Sequence, residues 1–333
     1  MKCLIVICIL LPKFGKLVLM YDKVKLWVDR AVIGRHFPII APVLEEAKEQ
    51  TDLATGETRT FGSVGGLKVS IYTGGISIIG SLPKFIYGNN VCSFDRHSTQ
   101  RAIEKLSDIF HINIADADVT GIEFGTNFPM KHKVTDYLSK LGEMPRLSRY
   151  HFEPSTLYYK GRGKNTPKVF AFYDKLSEAE AKGMDYPSGV SGENLLRYEM
   201  RLTGRLKTQL GIADLQASTL YDRTFYRKLV KLYQNSYYSI SKNVQLKDNA
   251  MSEIKTVSDA INTLMARLLS QTDKAQIVAF LDELRAAQVF NDSKYYTRLK
   301  NKINEIATKS DFVVTDELIR ELDNDIKNCG AYV

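Results

Sequence analysis

Between Thr156 and Leu202 lie two strand-like runs, Lys168-Val-Phe-Ala-Phe-Tyr-Asp-Lys175 and Leu195-Leu-Arg-Tyr-Glu-Met-Arg-Leu202, whose charged and phenolic residues recur at alternating positions. Strand side chains point to opposite faces in turn, so Tyr173 and Lys175 share one face of the first run. In the second, Arg197, Glu199 and Arg201 make a charged face opposite the apolar Leu196, Tyr198, Met200 and Leu202. A phenol, an amine, a carboxylate and two guanidiniums are parts from which a phosphodiester-cleaving site can be built. Two readings of the charged face are open. In one it is a solvated face of an antiparallel sheet, with cross-strand ion pairs worth ~0.2–1 kcal/mol each. In the other Glu199 binds a divalent cation, and the arginines grip phosphate oxygens through the bidentate fork that lysine lacks.

The elements that must position these residues can be followed along the chain. Met20 to Asp29 reads as a first strand. Glu45 to Thr60 is a polar segment of helical character followed by a turn, and the runs flanking Gly74-Gly75 read as a β-hairpin. A helix fits Ser98 to Phe110, capped by Ser98, with Ile103, Leu106, Ile109 and Phe110 on its buried face. Val119 to Gly125 reads as a strand on which Glu123 is flanked by Gly121 and Gly125, either to leave room for a ligand or to serve a bulge or corner. A helix from about Val134 to Leu141 is followed by strands at Arg149 to Phe152, Thr156 to Lys160, Val169 to Tyr173 and Leu196 to Leu202. Helical spacing takes over after Gly204, with a basic, aromatic helix at Thr219 to Asn235 and segments near 251–270, 273–288, 292–308 and 314–327. The expected domains are a catalytic unit at 20–245 and a helical region at 246–333, with no internal repeat in the sequence.

The 333 residues, 44% hydrophobic and 25% charged, suit a globular protein with a sizeable core. A net charge of +8 and a pI near 9.1 favour a polyanionic partner, and 18 Tyr with 15 Phe supply rings that stack on unpaired bases. Cys3, Cys8, Cys92 and Cys329 form no zinc spacing, which implies a reducing cytoplasm. The five histidines include no His-x-His pair, so a metal site rests on carboxylates and points to Mg²⁺ or Mn²⁺. The apolar run after Met1 falls far below the ~20 residues that span a bilayer. Residues 1–19 read as an upstream extension of the reading frame, and no membrane partner is expected.

Several short motifs in order, from roughly Met20 to Gly211, carry a resemblance: Leu82-Pro-Lys-Phe-Ile-Tyr-Gly-Asn-Asn-Val91, Val119-Thr-Gly-Ile-Glu123, Leu157-Tyr-Tyr-Lys-Gly161, Phe172-Tyr-Asp-Lys175 and Leu196-Arg-Tyr-Glu-Met-Arg-Leu202. The chain resembles the gene II and gene X class of filamentous-phage replication initiators, and more distantly the translated initiators of rolling-circle plasmids. The resemblance implies an endonuclease that nicks one strand of origin DNA, becomes linked to the 5′ phosphate and leaves a 3′ hydroxyl for a polymerase. It implies that Tyr173, of the Tyr-x-Lys motif, is the nucleophile and that Glu123 and Glu199 hold the metal; the phage relatives typically carry aspartate at the first. Asn89 and Asn90 fall where relatives often carry a histidine and an asparagine, which makes Asn90 a further candidate for DNA or phosphate binding.

A phenol with pKa ~10 is a poor nucleophile at neutral pH unless its phenolate is stabilised, a role open to Lys175. Arg197 or Arg201 clamps non-bridging phosphate oxygens, while Lys160, Arg162 and Lys164 around the Gly161-Arg-Gly163 turn touch the DNA backbone. Tyr158, Tyr159, Tyr237 and Tyr238 are rival nucleophiles. The expected fold is α+β, an antiparallel sheet with helices packed on one side, in two related halves closing around the site, followed by a helical C-terminal region. That region either reads DNA, recruits a host helicase or gives plain structural support. A mobilisation relaxase and a non-cleaving origin-binding protein remain open as alternatives.

Overall fold

The computed structural model describes residues 17–90, 93–152, 155–163, 166–183, 194–242, 244–246, 254–272, 274–307 and 313–330. The expected extension at 1–19 therefore lies outside the described residues except for 17–19, and Lys164 lies outside them entirely. Leu19 is buried, and the Leu19 carbonyl accepts a hydrogen bond from the Tyr226 hydroxyl.

Ten strands form one antiparallel sheet. They are β1 (Met20–Asp29), β2 (Glu45–Thr51), β3 (Thr58–Val64), β4 (Leu67–Tyr72), β5 (Gly75–Ser81), β6 (Asp118–Met130), β7 (Ser148–Phe152), β8 (Thr156–Lys160), β9 (Lys168–Asp174) and β10 (Asn194–Thr203). The order β2-β3-β4-β5-β1-β6-β10-β9-β8-β7 divides into two halves of one plan. In each, the first strand is central and the chain crosses to the outer edge, then returns inward through a four-stranded meander. The two central strands, β1 and β6, pair with each other at the seam.

Helices α1 (Arg30–Ile33) and α2 (Leu82–Tyr87) flank the first half, with α3 (Arg96–Phe110) after it. The second half carries α4 (Val134–Lys140), α5 (Lys175–Glu180), α6 (Leu206–Leu210) and α7 (Arg223–Tyr238). Ile103, Leu106 and Phe110 of α3 and Phe225, Leu229 and Tyr233 of α7 are buried in one core with Val24, Leu26, Phe172 and Tyr198 of the sheet. Phe172, Tyr198 and Tyr233 stack in a column at centroid spacings of 4.2 and 4.1 Å, tying α7 to the back of β9 and β10.

Three local expectations change. Glu45 to Thr51 is a strand, not a helix: it is an edge strand, exposed along its whole length, so no apolar alternation marks it. The turn after it is set by Asp52, whose carboxylate accepts from the Ala54 and Thr55 amides at 2.8 and 3.2 Å. Asp95, not Ser98, caps α3, accepting from the Ser98 amide at 2.7 Å. Lys175 leaves the strand and opens α5, because Asp174 caps that helix through the Leu176 and Ser177 amides.

The C-terminal helices are α8 (Val257–Gln271), α9 (Lys274–Ala286), α10 (Ser293–Ala307) and α11 (Glu317–Asn328). A two-stranded sheet, β11 (Val244–Leu246) with β12 (Val313–Thr315), joins the two ends of this region. Its last helix returns to the main core: Ile319, Leu322 and Ile326 are buried there, Tyr137 donates to Glu321 at 2.6 Å and Tyr237 to Asp323 at 2.7 Å. Among the described residues no helix is long and apolar enough to cross a membrane.

Gly125 of β6 lies opposite Glu199, and a Cβ there would meet the Tyr198 carbonyl oxygen at 2.3 Å. Glycine is needed for that close approach, whereas at Gly121 the nearest atom is the Lys25 Cβ at 3.2 Å. Gly125→Val should therefore lower unfolding free energy by about 1–3 kcal/mol, and Gly121→Ala by clearly less, in denaturant melts.

Candidate functional site

The site is built on the face of the sheet away from α7, where β1, β6, β10 and β9 run side by side. Register sets its members: Arg197 pairs with Asn127 on one side and Tyr173 on the other, and Glu199 with Gly125 and Ala171. The alternation expected for β10 holds, since Leu196, Tyr198, Met200 and Leu202 enter the core while Arg197, Glu199 and Arg201 face the other way.

Arg197 is wholly buried. Its Nε donates to Glu199 Oε2 at 2.9 Å, one terminal nitrogen to Asn127 at 3.0 Å and the other to Asp22 at 2.9 Å. Asp22 also accepts from Asn90 at 2.9 Å and from Ser81 at 2.7 Å. Glu199 Oε2 accepts a second bond from the Tyr173 hydroxyl at 3.0 Å, and Oε1 accepts from Arg201 at 2.6 Å. Glu123, next along the same face, lies 3.5 Å from Lys23 and 4.0 Å from Arg201.

Burial alone would raise the Glu199 carboxyl, but the Arg197 and Arg201 guanidiniums outweigh it and hold the group at about 2. Burial pushes the Tyr173 phenol well above its ordinary value; Arg197 opposes that shift, and Glu199 and Asp22 reinforce it. Tyr173 therefore keeps its proton at neutral pH and offers it to Glu199. Glu123 is raised, by burial first and by the charge of Glu199 second.

Tyr173, Arg197, Glu199, Arg201 and Glu123 thus form one cluster, and Asn90 joins it through Asp22. Lys160 lines a neighbouring groove of about 560 Å³ with Phe152, Thr156, Tyr158, Val169 and Arg201. Arg162 sits in the turn between β8 and β9, donating to Ser148 at 3.3 Å. Lys175 is buried and paired with Glu178 at 2.7 Å, its Nζ 6.0 Å from the Tyr173 ring centre, so the cation that faces the phenol is Arg197. Tyr159 donates to the Gly142 carbonyl and Tyr237 to Asp323, and both rings belong to the hydrophobic core rather than to the Glu199 cluster; Tyr158 stays half-exposed in the groove.

Asp22, Asn127 and Ser81 were not anticipated. Strict alternation would send Asp22 into the core with Val24 and Leu26. A bulge in the β1–β6 pairing, between Tyr21 and Lys23, turns it to the site face instead. An acid two places before an apolar alternating run was the available signal. Asn127 needed only that the alternation from Glu123 through Gly125 be carried one step further.

Among the described residues no three His, Cys, Asp or Glu side chains form a metal-holding group. The carboxylates of Glu123 and Glu199, both within reach of the Arg201 head, are hard oxygen donors of the kind that Mg²⁺ and Mn²⁺ take. They fit a divalent cation where the head of Arg201, 34% exposed, now bridges them.

A buried charge deprived of its partner costs about 3–5 kcal/mol, the loss expected in urea melts of Arg197→Ala. Because the folded Glu199 carboxyl lies below its ordinary range, its contribution is present above that range and disappears as pH falls toward 2. Wild type should therefore lose melting temperature between about pH 5 and 3 more steeply than Glu199→Gln does.

Residues 20–224 match the N-terminal family of the gene II-type phage replication-associated protein. No curated protein matches the chain. Among solved structures, a rolling circle replication initiator protein from Geobacillus stearothermophilus is similar at 13% identity, over 66% of this chain and 85% of that one, with a TM-score of 0.38. The matched stretch spans more than half of the 333 residues and contains every member of the network from Asp22 to Arg201; the chain belongs to the gene II-type family of replication-associated proteins.

Proposed function

We propose that this protein initiates rolling-circle replication by nicking and rejoining one strand of origin DNA, with the Tyr173 hydroxyl as nucleophile. The observation that supports this best is the 3.0 Å hydrogen bond from that hydroxyl to Glu199, itself gripped by two guanidiniums beside a basic, aromatic groove. Family membership supports the link to replication.

A phosphodiester in the groove draws Arg201 from Glu199 to its non-bridging oxygens, with Lys160 and Arg162 on neighbouring phosphates. Glu199 Oε2, already bonded to the phenol, takes the Tyr173 proton as the phenolic oxygen attacks phosphorus. The bond from phosphorus to the 3′ oxygen breaks, that oxygen takes up a proton, and the 5′ phosphate remains on Tyr173. Attack by a 3′ hydroxyl reverses the step and rejoins the strand without ATP. Glu123 and Glu199 would hold Mg²⁺ or Mn²⁺, which when bound polarises the scissile phosphate. Asp22 and Asn90 act as positioning residues through Arg197. The reaction belongs in the cytoplasm of a bacterial host, where a polymerase extends the freed 3′ end and a helicase unwinds the duplex ahead of it.

Tyr173→Phe removes one hydroxyl and keeps the ring, so stability should stay within about 1–2 kcal/mol of wild type. With end-labelled origin strands and Mg²⁺ or Mn²⁺, wild type is expected to form an adduct on the 5′ phosphate that EDTA prevents and Tyr173→Phe lacks. An adduct that survives the substitution would move the nucleophile elsewhere. Sequence-specific binding without cleavage under either metal would identify an inactive origin binder.

A further inference from the structure

The open face of the first half of the sheet carries a second constellation beside the site. Lys23, Lys25 and Trp27 alternate along β1 on the face opposite Val24, Leu26 and Val28, and the register with β5 and β4 brings Tyr72 and Lys68 onto the same surface. The Trp27 and Tyr72 rings lie 5.9 Å apart at 46°, and the Arg59 guanidinium stands 5.5 Å above the Tyr72 ring. Arg59 is bonded to Glu57 at 2.9 Å, while its Nε is buried without a partner. The indole rests against the β4–β5 hairpin, where a Cβ on Gly75 would approach it to 3.0 Å. Trp27 and Tyr72 are half-buried, and Lys23, Lys25 and Lys68 are exposed.

The geometry points to a base-stacking platform for single-stranded DNA, formed by Trp27, Tyr72 and Arg59 and flanked by Lys23, Lys25 and Lys68. Rings half-open to solvent on a lysine-bordered sheet face suit a ligand with flat bases and a polyanionic backbone, since stacking and charge each contribute without base readout. The platform is continuous with the site, because Lys23 at its near end is paired with Glu123 at 3.5 Å. From Lys23 to Trp27 is four strand steps, roughly 13 Å, on the order of four nucleotides at the phosphate spacing of a stacked strand. DNA leaving the site across β1 would arrive there. This assignment rests on the proposed nicking reading in its direction of travel, but its binding test needs no cleavage.

Trp27 is the one tryptophan of the chain, which makes its emission a local reporter. Wild-type protein is titrated with oligothymidylate in EDTA, following tryptophan emission together with the anisotropy of labelled DNA. Both signals should saturate at the same DNA concentration, and duplex of the same length should leave emission unchanged. Tyr72→Ala should weaken oligothymidylate binding about tenfold, and Tyr72→Phe, which keeps the ring, should bind like wild type. Circular dichroism checks that both variants are folded. Anisotropy that reports binding with unchanged emission, equal losses in Tyr72→Phe and Tyr72→Ala, or no binding at low salt would each overturn the platform. Saturating emission from a protein that forms no Tyr173 adduct would sink the nicking reading and leave the platform standing.

Discussion

A guanidinium withdrawn wholly from water must find partners for its donors inside the protein, and Arg197 finds them on three strands. Glu199 lies two residues along its own strand, Asn127 on β6 and Asp22 on β1, so one side chain stitches the two halves of the sheet across their seam. The demand passes outward. Asp22 is fixed by Asn90 and Ser81, and Glu199 is left with one oxygen turned toward the Tyr173 hydroxyl and the other toward Arg201. Asp22, Glu123 and Glu199 face Arg197, Arg201 and Lys23 in equal number, so the cluster is balanced until an anionic strand disturbs it.

The halves explain why the site lies where it does. Each half places its first strand at the centre, so the two central strands meet, and four further strands lie outward from them on each side. Helices occupy the other face, held by the stacked Phe172, Tyr198 and Tyr233. The same β10 residues thus alternate between locking the core and building the site. The polar network can be this buried because the aromatic column behind it keeps the strands in register.

Where pattern equals geometry, the sequence was a sufficient guide. The charged and apolar faces of β10, the hairpin at Gly74-Gly75 and the helix through Ile103, Leu106 and Phe110 all follow from side-chain periodicity. Where geometry departs from periodicity, it was not. Asp22 reaches the site only through a bulge, β2 has no buried face to leave a trace in its residues, and Lys175 is diverted by the cap at Asp174. The paired plan of the halves is a property of strand order, which different residues can satisfy, and so no repeat marks it in the sequence. The helical character of 314–327 was legible, but not its return to the first core, a non-local contact that periodicity does not encode.

The central claim is that DNA is joined to the hydroxyl held by Glu199. The most direct measurement is mass spectrometry of the adduct after nuclease and protease digestion, which locates the residual nucleotide on a peptide. A nucleotide phosphate on Tyr173, in the peptide spanning 169–175, is the predicted result. The same mass on Tyr158, Tyr150 or any residue outside the Arg197 network would contradict the account.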